Sequence, residues 1–557
     1  MGEVKAGAHR HVARSAGGIG LATLTSRVLG FVRDILVAGL FGTAIQAQAF
    51  VVAFRIPNLL RDLVAEGAAS TAFVPVFSEY RALRSREEYW RLASSVLWCV
   101  GSVLAAVTIL GMLAAPLLVR LMAPGFIADP EKFALTVSLT RWLWPFIWLI
   151  GITAFGTSVL NSLDVFVLPA LGPAVLNVGM IVGLVWITPH VLPQIMGSVY
   201  GVLIGGAVQL LCIVVPLAAH GMYWSPHPQD RPQADRANAR VGFADRLRVG
   251  GWWPSQGAPW IHPEARRIGR LLVPRVAGSA VYQLSVFIDT ILASLSAIVG
   301  EGGVAALYFA NRLIQLPFAV FGISLAQASL PTLSAQAARK DFETFRRTCL
   351  FALRSAWFIM LPSTVGLWVL AGPIVRLLFQ HGQFDTYSTA STAGVLRWYT
   401  LGLMWYASGR LCVNAFYALQ ETWVPVRTAA VALLTNLVLN IILMFPMRLN
   451  GLALATSVSS MTNCLQLFVL LQRRVGAFDR RALLSSLARM GAAALAMAVC
   501  AHAGWMVLSR QWGERGMGGA LAMAVVMAGS SAVYLAASWL LRVEEVASLK
   551  RWIWPSK

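Results

Sequence analysis

The chain is dominated by apolar stretches that are long enough to cross a membrane. A transmembrane helix needs about 20 mostly apolar residues. Hydrophobic residues make up 57% of the 557-residue sequence and charged residues only 12%, so the excess apolar surface must face lipid. Twelve stretches meet the length requirement: 17–43, 93–122, 135–160, 167–188, 195–219, 271–298, 349–379, 388–419, 424–446, 450–472, 485–508 and 519–541.

Two further segments, 49–78 and 303–335, are apolar but interrupted by charged residues. If both cross the membrane, nearly all of the arginine-rich loops fall on one side, and dropping either segment reverses every later loop. The positive-inside rule therefore predicts an all-α polytopic membrane protein of fourteen helices with both termini in the cytoplasm. The net charge is +21. Because the basic residues lie in short loops between apolar stretches, this charge does not indicate a nucleic-acid-binding protein.

The two halves of the chain resemble each other at an offset of 256–257 residues. The stretch Ala49–Arg55 corresponds to Ala306–Arg312, and the Arg-Trp pair at 141–142 corresponds to the pair at 397–398. Each repeat holds six spans, and an even number restores the orientation, so the two repeats are parallel. We predict four regions: an N-terminal six-helix lobe (1–219), a cytoplasmic linker loop (220–270), a C-terminal six-helix lobe (271–472), and two extra helices with a basic cytoplasmic tail (473–557).

Arginines lie inside the first two spans and the eighth span. A charge at the bilayer centre costs about 2.5–3.5 kcal/mol on insertion scales, so it must face a cavity or a partner. The guanidinium group stays charged and grips phosphate through paired N–H donors. Four arginines would therefore suit a pyrophosphate group if they share a cavity: Arg27, Arg55, Arg61 and Arg312.

The alternative is that these arginines only lock helices together through ion pairs with intramembrane acids. Arg33 is the strongest candidate for a purely structural pair, because Asp34 is adjacent. Asp289 stands alone in the seventh span. It fits either a ligand of a coupling cation, with Asn414 or Thr435 nearby, or the counter-ion of an arginine.

Three other arginines, Arg141, Arg397 and Arg410, are expected near the ends of spans. At such positions a long side chain can extend its guanidinium group to the membrane interface. We therefore predict no substrate contact for them.

Signatures of enzymes, metal sites and channels are absent from the sequence. It contains no GxxxxGK[ST] loop, HExxH or GxSxG motif, and its six cysteines occur singly in apolar stretches. The basic start leads directly into a long apolar segment and does not resemble a cleavable signal peptide. We expect a transporter with no enzymatic activity, metal or cofactor.

Several stretches strongly resemble the MurJ (MviN) family of bacterial lipid II flippases, which belongs to the multidrug/oligosaccharidyl-lipid/polysaccharide exporter superfamily. The similarity covers nearly the whole chain. It is carried by SRVLGFVRD (26–34), AFRIPNLLRDLVAEGAASTAFVPVFSEY (53–80), ANRLIQLP (310–317), APGF (123–126) and GQFD (382–385).

The resemblance implies fourteen helices, a cationic central cavity, and outward movement of undecaprenyl-pyrophosphate-linked disaccharide-pentapeptide through the bacterial inner membrane for peptidoglycan synthesis. It also implies a groove in spans 13 and 14 that holds the polyprenyl tail. The implied partners are lipid II, the bilayer, a coupling cation or the membrane potential, and cell-wall synthesis proteins. The residues that match cavity positions of the family are Arg27, Arg33, Arg61 and Arg312, which are required there, together with Ser26, Arg55 and Glu66.

Some acidic residues of the family pattern are replaced by neutral residues in this chain. Gln48 stands where the family often has an acid, and Asn311 and Gln315 flank the arginine of span 8 where some members have Asp and Glu. The cavity should therefore be more cationic. Competing hypotheses are another transporter of the superfamily, such as an O-antigen-type flippase or a drug–cation antiporter, and a non-transporting scaffold for cell-wall enzymes.

Overall fold

All regular secondary structure in the described part of the chain is helical. The computed structural model describes residues 2–64, 68–222 and 283–546. Its helices are α1 (Gly2–Phe41), α2 (Ile45–Val64), α3 (Ala68–Leu83), α4 (Arg86–Met122), α5 (Pro130–Leu143), α6 (Pro145–Ser162), α7 (Val167–Ala170), α8 (Gly172–Val182), α9 (Met196–Ala219), α10 (Gln283–Ala293), α11 (Ser296–Val299), α12 (Gly303–Pro317), α13 (Ser324–Ala338), α14 (Phe342–Val369), α15 (Ala371–Phe379), α16 (Thr386–Thr400), α17 (Leu403–Ala418), α18 (Trp423–Met447), α19 (Leu449–Val475), α20 (Arg480–Trp512) and α21 (Gly516–Leu540).

Ten helical segments of the described residues are long and apolar enough to cross a membrane. The predicted all-α, multi-span membrane architecture is therefore confirmed. Four further predicted spans overlap α1, the α2–α3 pair, α10 and the α16–α17 pair. The count of fourteen stays a prediction that agrees with these helices.

The chain divides into two compact units. The first unit comprises 1–37, 49–122 and 126–280, and the second comprises 38–48, 123–125 and 281–557. The division of the sequence into four regions stays a prediction. The predicted linker loop lies outside the described residues from position 223 onward, as does the tail from position 547.

The internal repeat is visible in two broken helices of equal length. The α5–α6 pair covers 130–162, and α16–α17 covers 386–418, an offset of 256 residues. Asp129 caps the first by accepting a hydrogen bond from the backbone N–H of Lys132 at 3.1 Å, and Asp385 caps the second by accepting one from that of Ser388 at 2.8 Å. An aspartate at this position satisfies one of the free amides of a helix start.

The arginines of these two broken helices lie at equivalent positions, and their expected place near span ends stays a prediction. Arg141 is the eleventh residue after the start of α5, and Arg397 is the eleventh residue after the start of α16. At a rise of about 1.5 Å per residue, each Cα lies about 16 Å along its helix. A further 21 residues separate each arginine from the end of the continuing helix.

Glycines allow α8 and α9 of the first unit to cross closely. A Cβ built on Gly179 would overlap the backbone of Gly205. Lipid offers no hydrophobic drive for helix association, so small residues that let backbones approach supply the packing instead.

The C-terminal hairpin α20–α21 packs on α14 and α15 within the second unit. The hydroxyl of Tyr534 donates to the carbonyl of Phe358 at 2.9 Å. Arg354 lies 2.6 Å from Glu545 and 2.9 Å from Glu544. Ion pairs and a buried hydrogen bond thus fix the two helices that the repeat does not contain.

Candidate functional site

The candidate residues of α1 lie in different environments. Arg27 is exposed, Ser26 is half-buried, and Arg33 and Asp34 are buried. Arg27 makes no hydrogen bond or ion pair with another residue in the described ranges, so its guanidinium group is available to an anion. These residues lie along a helix whose turn is about 5.4 Å, which separates Arg27 from Arg33 by nearly two turns.

Arg33 is held by an ion pair and by an amide of another helix. Its Nη2 and Nε donate to Asp34 Oδ1 at 2.7 and 3.0 Å, and its Nη1 donates to Asn177 Oδ1 at 2.9 Å. Asn177, on α8, donates from Nδ2 to the backbone carbonyl of Ser26 at 3.0 Å. The network joins α1 to α8 and agrees with the structural alternative considered for Arg33.

The arginines of α2 flank a proline inside the helix. Arg55 and Arg61 are both half-buried, and Pro57 lies between them. A proline inside a helix frees a backbone carbonyl and allows a bend. Glu66 lies outside the described residues, so the structure gives no position for that candidate.

Arg312 of the second unit is oriented by neighbours on its own helix. It donates from Nη2 to the hydroxyl of Tyr308 at 3.2 Å and from Nη1 to Gln315 Oε1 at 3.2 Å. Its guanidinium carbon lies 4.9 Å from the centre of the Tyr308 ring, a cation–π contact. Both of these hydrogen-bond partners are neutral, and they orient the guanidinium group.

Asp289 of α10 is the centre of a polar cluster in the second unit. Its Oδ1 accepts from Asn440 Nδ2 at 2.8 Å, and its Oδ2 accepts from Thr456 Oγ1 at 3.2 Å. Asn440 also donates to Asn436 Oδ1 at 3.0 Å, and both asparagines are fully buried. Asn440 Oδ1 has no hydrogen-bond partner in the described part of the chain.

The side chains expected beside Asp289 are engaged elsewhere. Asn414 donates to the carbonyl of Ala326 at 2.7 Å, and Thr435 donates to that of Val431 at 3.0 Å. Asn440 and Thr456 take the expected role. The sequence carried a signal for Asn440 alone, because positions 436 and 440 place two asparagines on one face of an apolar helix. It did not show which helix that face meets.

Two groups of site residues are thus brought together, each within its own unit. Ser26, Arg33 and Asp34 are linked through Asn177, which the sequence analysis did not single out. Asp289 joins a cluster contributed by α18 and α19.

Comparison with known families identifies the family to which the chain belongs. Residues 37–526 of the chain match the family described as lipid II flippase MurJ. The chain belongs to this family. The match spans most of the sequence. The resemblance to the MurJ family that the sequence predicted is therefore confirmed.

Individual relatives and solved structures give the same result. A probable lipid II flippase MurJ of Buchnera aphidicola (strain APS) is 32% identical over 457 residues, which are 82% of this chain and 82% of the relative. A structure of lipid II flippase MurJ in an inward closed conformation superposes with a TM-score of 0.74 at 25% identity, covering 95% of this chain and 99% of that one. An inward-facing multidrug resistance transporter of the MATE family superposes at 0.64 and 18% identity, covering 81% and 94%, and shares the fold alone.

Proposed function

We propose that this MurJ family member moves lipid II from the cytoplasmic to the periplasmic leaflet of the inner membrane by alternating access, as a transporter without catalytic residues. Membership of the family supports the substrate, and the names of its relatives agree with it. The observation that carries the proposal is the exposed Arg27 inside the first predicted span, with no anionic partner among the described residues.

The arginines take two different parts in this proposal. Arg27, Arg55, Arg61 and Arg312 contact the pyrophosphate or sugar portion, because a guanidinium fork matches phosphate oxygens. Arg33 is buried and held by Asp34 and Asn177, so we assign it the positioning of α1. Ser26 and Glu66 complete the proposed site on the family pattern.

The test is lipid II translocation by purified protein in vesicles. We expect Arg27→Ala and Arg312→Ala each to lower the rate at least tenfold, since each removes a charge-assisted contact worth about 1.5–3 kcal/mol. Arg27→Lys should retain partial activity, because lysine keeps the charge and loses the fork. Arg510→Ala, at the exposed end of α20, is the matched control and should translocate normally.

Normal translocation by an Arg27→Ala/Arg312→Ala double variant would contradict the proposal. A scaffold for cell-wall enzymes predicts a different pattern, in which vesicles never translocate lipid II and deletion of 220–270 abolishes function in cells. A transporter should mostly tolerate that deletion.

We further propose that the cluster around Asp289 binds a coupling cation. The carboxylate, the partnerless Asn440 Oδ1 and the Thr456 hydroxyl offer oxygen ligands, which hard cations prefer. A single carboxylate beside an unsatisfied amide oxygen and a hydroxyl suits a monovalent cation. A cation there would satisfy the buried amide oxygen, which otherwise costs about 1–3 kcal/mol.

Thermal unfolding of the purified protein tests the cation proposal. Sodium chloride should raise the unfolding temperature above that in choline chloride of equal ionic strength, and Asp289→Asn should abolish the difference. Asn414→Ala, which removes an amide outside the cluster, is the control and should keep the sodium effect. Equal unfolding temperatures of the unaltered protein in sodium, lithium, potassium and choline salts would contradict it.

The orientation in the membrane is also a proposal. Both termini and the loop 220–270 lie in the cytoplasm, because arginine-rich loops stay on that side. In this orientation the cytoplasmic face offers a basic surface to cell-wall synthesis proteins. Cysteine labelling from each side would place the termini, and labelling of either terminus from the periplasm would contradict the topology.

A further inference from the structure

A cavity lies beside each of the two repeat-related Arg-Trp pairs. In the first unit, a cavity of about 450 Å³ between α4 and α5 is lined by Arg141 and Trp142. In the second unit, a cavity of about 700 Å³ between α14, α16 and α20 is lined by Arg397 and Trp398. Both volumes are in the range of small-molecule sites, about 300–1,000 Å³.

The guanidinium groups in these cavities have no anionic partner among the described residues. Arg141 and Arg397 are both exposed, and neither makes a side-chain hydrogen bond or ion pair within the described residues. Neither cavity lining contains an acid: the first holds one hydroxyl, of Ser138, and the second holds the imidazole of His502. A cation inside a membrane helix needs an anionic partner, so the partner must come from outside these walls.

Exposed apolar side chains surround both cavities. Leu113 and Leu117, on the helix that supplies one wall of the first cavity, are 73% and 58% exposed. Val499, in the wall of the second, is 70% exposed. Large apolar side chains that are exposed on membrane helices face acyl chains, so the anion that reaches either arginine must itself be accessible from lipid.

The tryptophan of each pair is fixed by another aromatic ring. Trp142 lies edge-to-face against Tyr200 at 6.2 Å, and Trp398 lies edge-to-face against Trp368 at 5.5 Å. Tryptophan combines an apolar body with an N–H donor and is enriched at the headgroup level of membranes. Each arginine therefore stands beside a rigid group suited to the boundary between headgroup and acyl chain.

We propose that each cavity binds the phosphate of one anionic phospholipid, held by Arg141 in the first unit and by Arg397 in the second. The phosphate accepts paired N–H bonds from the guanidinium group, and the acyl chains lie along the exposed apolar side chains. The hairpin α20–α21 lines only the second cavity. The first cavity has the same Arg-Trp arrangement without the hairpin. The proposed lipid sites are therefore different from any groove that the hairpin forms for a polyprenyl tail.

Native mass spectrometry of the full-length protein in neutral detergent tests this proposal. With added phosphatidylglycerol we expect two tightly retained lipids per chain, and none with phosphatidylcholine. Arg141→Gln and Arg397→Gln should each lose one lipid, and the double variant should lose both. Arg141→Lys should retain its lipid with weaker affinity, because the charge is kept without the fork.

Arg410→Gln is the matched control. Arg410 is also an exposed arginine inside a membrane helix, but it lines neither cavity, and its removal should leave both lipids bound. Comparable unfolding temperatures would show that the variants are folded.

Three results would overturn the proposal. They are equal retention of the two lipids by the unaltered protein, unchanged phosphatidylglycerol retention by the Arg141→Gln/Arg397→Gln variant, and displacement of phosphatidylglycerol by millimolar inorganic phosphate. The last would identify a site for soluble anions. None of these readouts depends on transport, so their failure is distinguishable from failure of the proposed flippase activity.

Discussion

In the first unit Arg33 lies against a carboxylate of its own helix, whereas in the second unit Asp289 accepts hydrogen bonds from neutral side chains of two other helices. The Arg33–Asp34 pair cancels its charge at 2.7 Å, and the amide of Asn177 satisfies a remaining N–H. Asp289 accepts from Asn440 and from Thr456, and Asn440 Oδ1 has no hydrogen-bond partner among the described residues. An ion pair between adjacent residues is suited to hold helices together, and a carboxylate beside an unsatisfied amide oxygen is suited to attract a cation.

The electrostatic cost of burial explains the difference. Each ion taken out of water loses several kcal/mol of solvation even after relaxation, so it must be paired, hydrogen-bonded or functional. Arg33 meets that requirement within the described residues. The Asn440 amide oxygen is buried and accepts no hydrogen bond from the described residues. The cluster around Asp289 is therefore the better candidate for an ion site.

The largest expected effect comes from breaking the first cluster. Asp34→Ala leaves Arg33 buried beside neutral groups and should lower the free energy of unfolding by about 3–5 kcal/mol. Thermal unfolding in detergent measures the loss. The double variant Arg33→Met/Asp34→Leu removes both charges and should recover much of the stability, and a double variant as unstable as the single one would show that the pair is not the cause.

A smaller effect is expected in the second cluster. Asn440→Leu removes a donor to the Asp289 carboxylate and should cost about 1.5–3 kcal/mol, the range for hydrogen bonds to charged groups. In an Asp289→Asn background the same substitution should cost less, because the acceptor is no longer charged. Equal costs in the two backgrounds, measured as a double-mutant cycle, would argue against a charged Asp289.

The loss of Asn177, the neutral side chain between Arg33 and the Ser26 carbonyl, should lower the stability less. Asn177→Leu removes an acceptor for Arg33 and a donor to the Ser26 carbonyl. Since Asp34 still neutralises the arginine, we expect a loss of about 1–2 kcal/mol. Hydrogen exchange of α1 should increase in this variant, and unchanged protection would show that Asn177 does not fix α1 to α8.

The smallest effect is expected at Asp385, whose carboxylate caps the start of α16. The backbone N–H of Ser388, followed by its side chain, lowers the pKa of Asp385 below its usual value. The stabilisation is therefore present above about pH 4, the value for an unfolded chain, and is lost as the pH falls through the native pKa. Asp385→Ala should cost about 1 kcal/mol at pH 7 and less at low pH, and a loss that is independent of pH would contradict this account.

The membrane class and the family were predictable from the sequence because both depend on local patterns. Apolar stretches of membrane length appear without knowledge of packing, and the motifs around Arg27 and Arg312 carried the family resemblance that residues 37–526 confirm. The pairing of Arg33 with Asp34 was also predictable, since the two are adjacent.

The partners of Asp289 and the environment of Arg141 and Arg397 were not predictable in the same way. Asn440 and Thr456 lie more than 150 positions away from Asp289 along the chain, and sequence spacing contains no information about which distant helices meet. The sequence did not show that α5 and α6 continue one another through a break, as do α16 and α17. Only the broken helices show that a long stretch follows each arginine.

The sequence by itself determined a many-span helical membrane protein of the MurJ family, with arginines where lipid would exclude them. Those features follow from composition, helix length and local motifs. Only the tertiary structure decided that Asn177 joins the Arg33–Asp34 pair, that Asn440 and Thr456 donate to Asp289, and that Arg141 and Arg397 line cavities. The physical reason is that solvation and charge pairing depend on which side chains pack around a group, and that packing joins residues far apart in the chain.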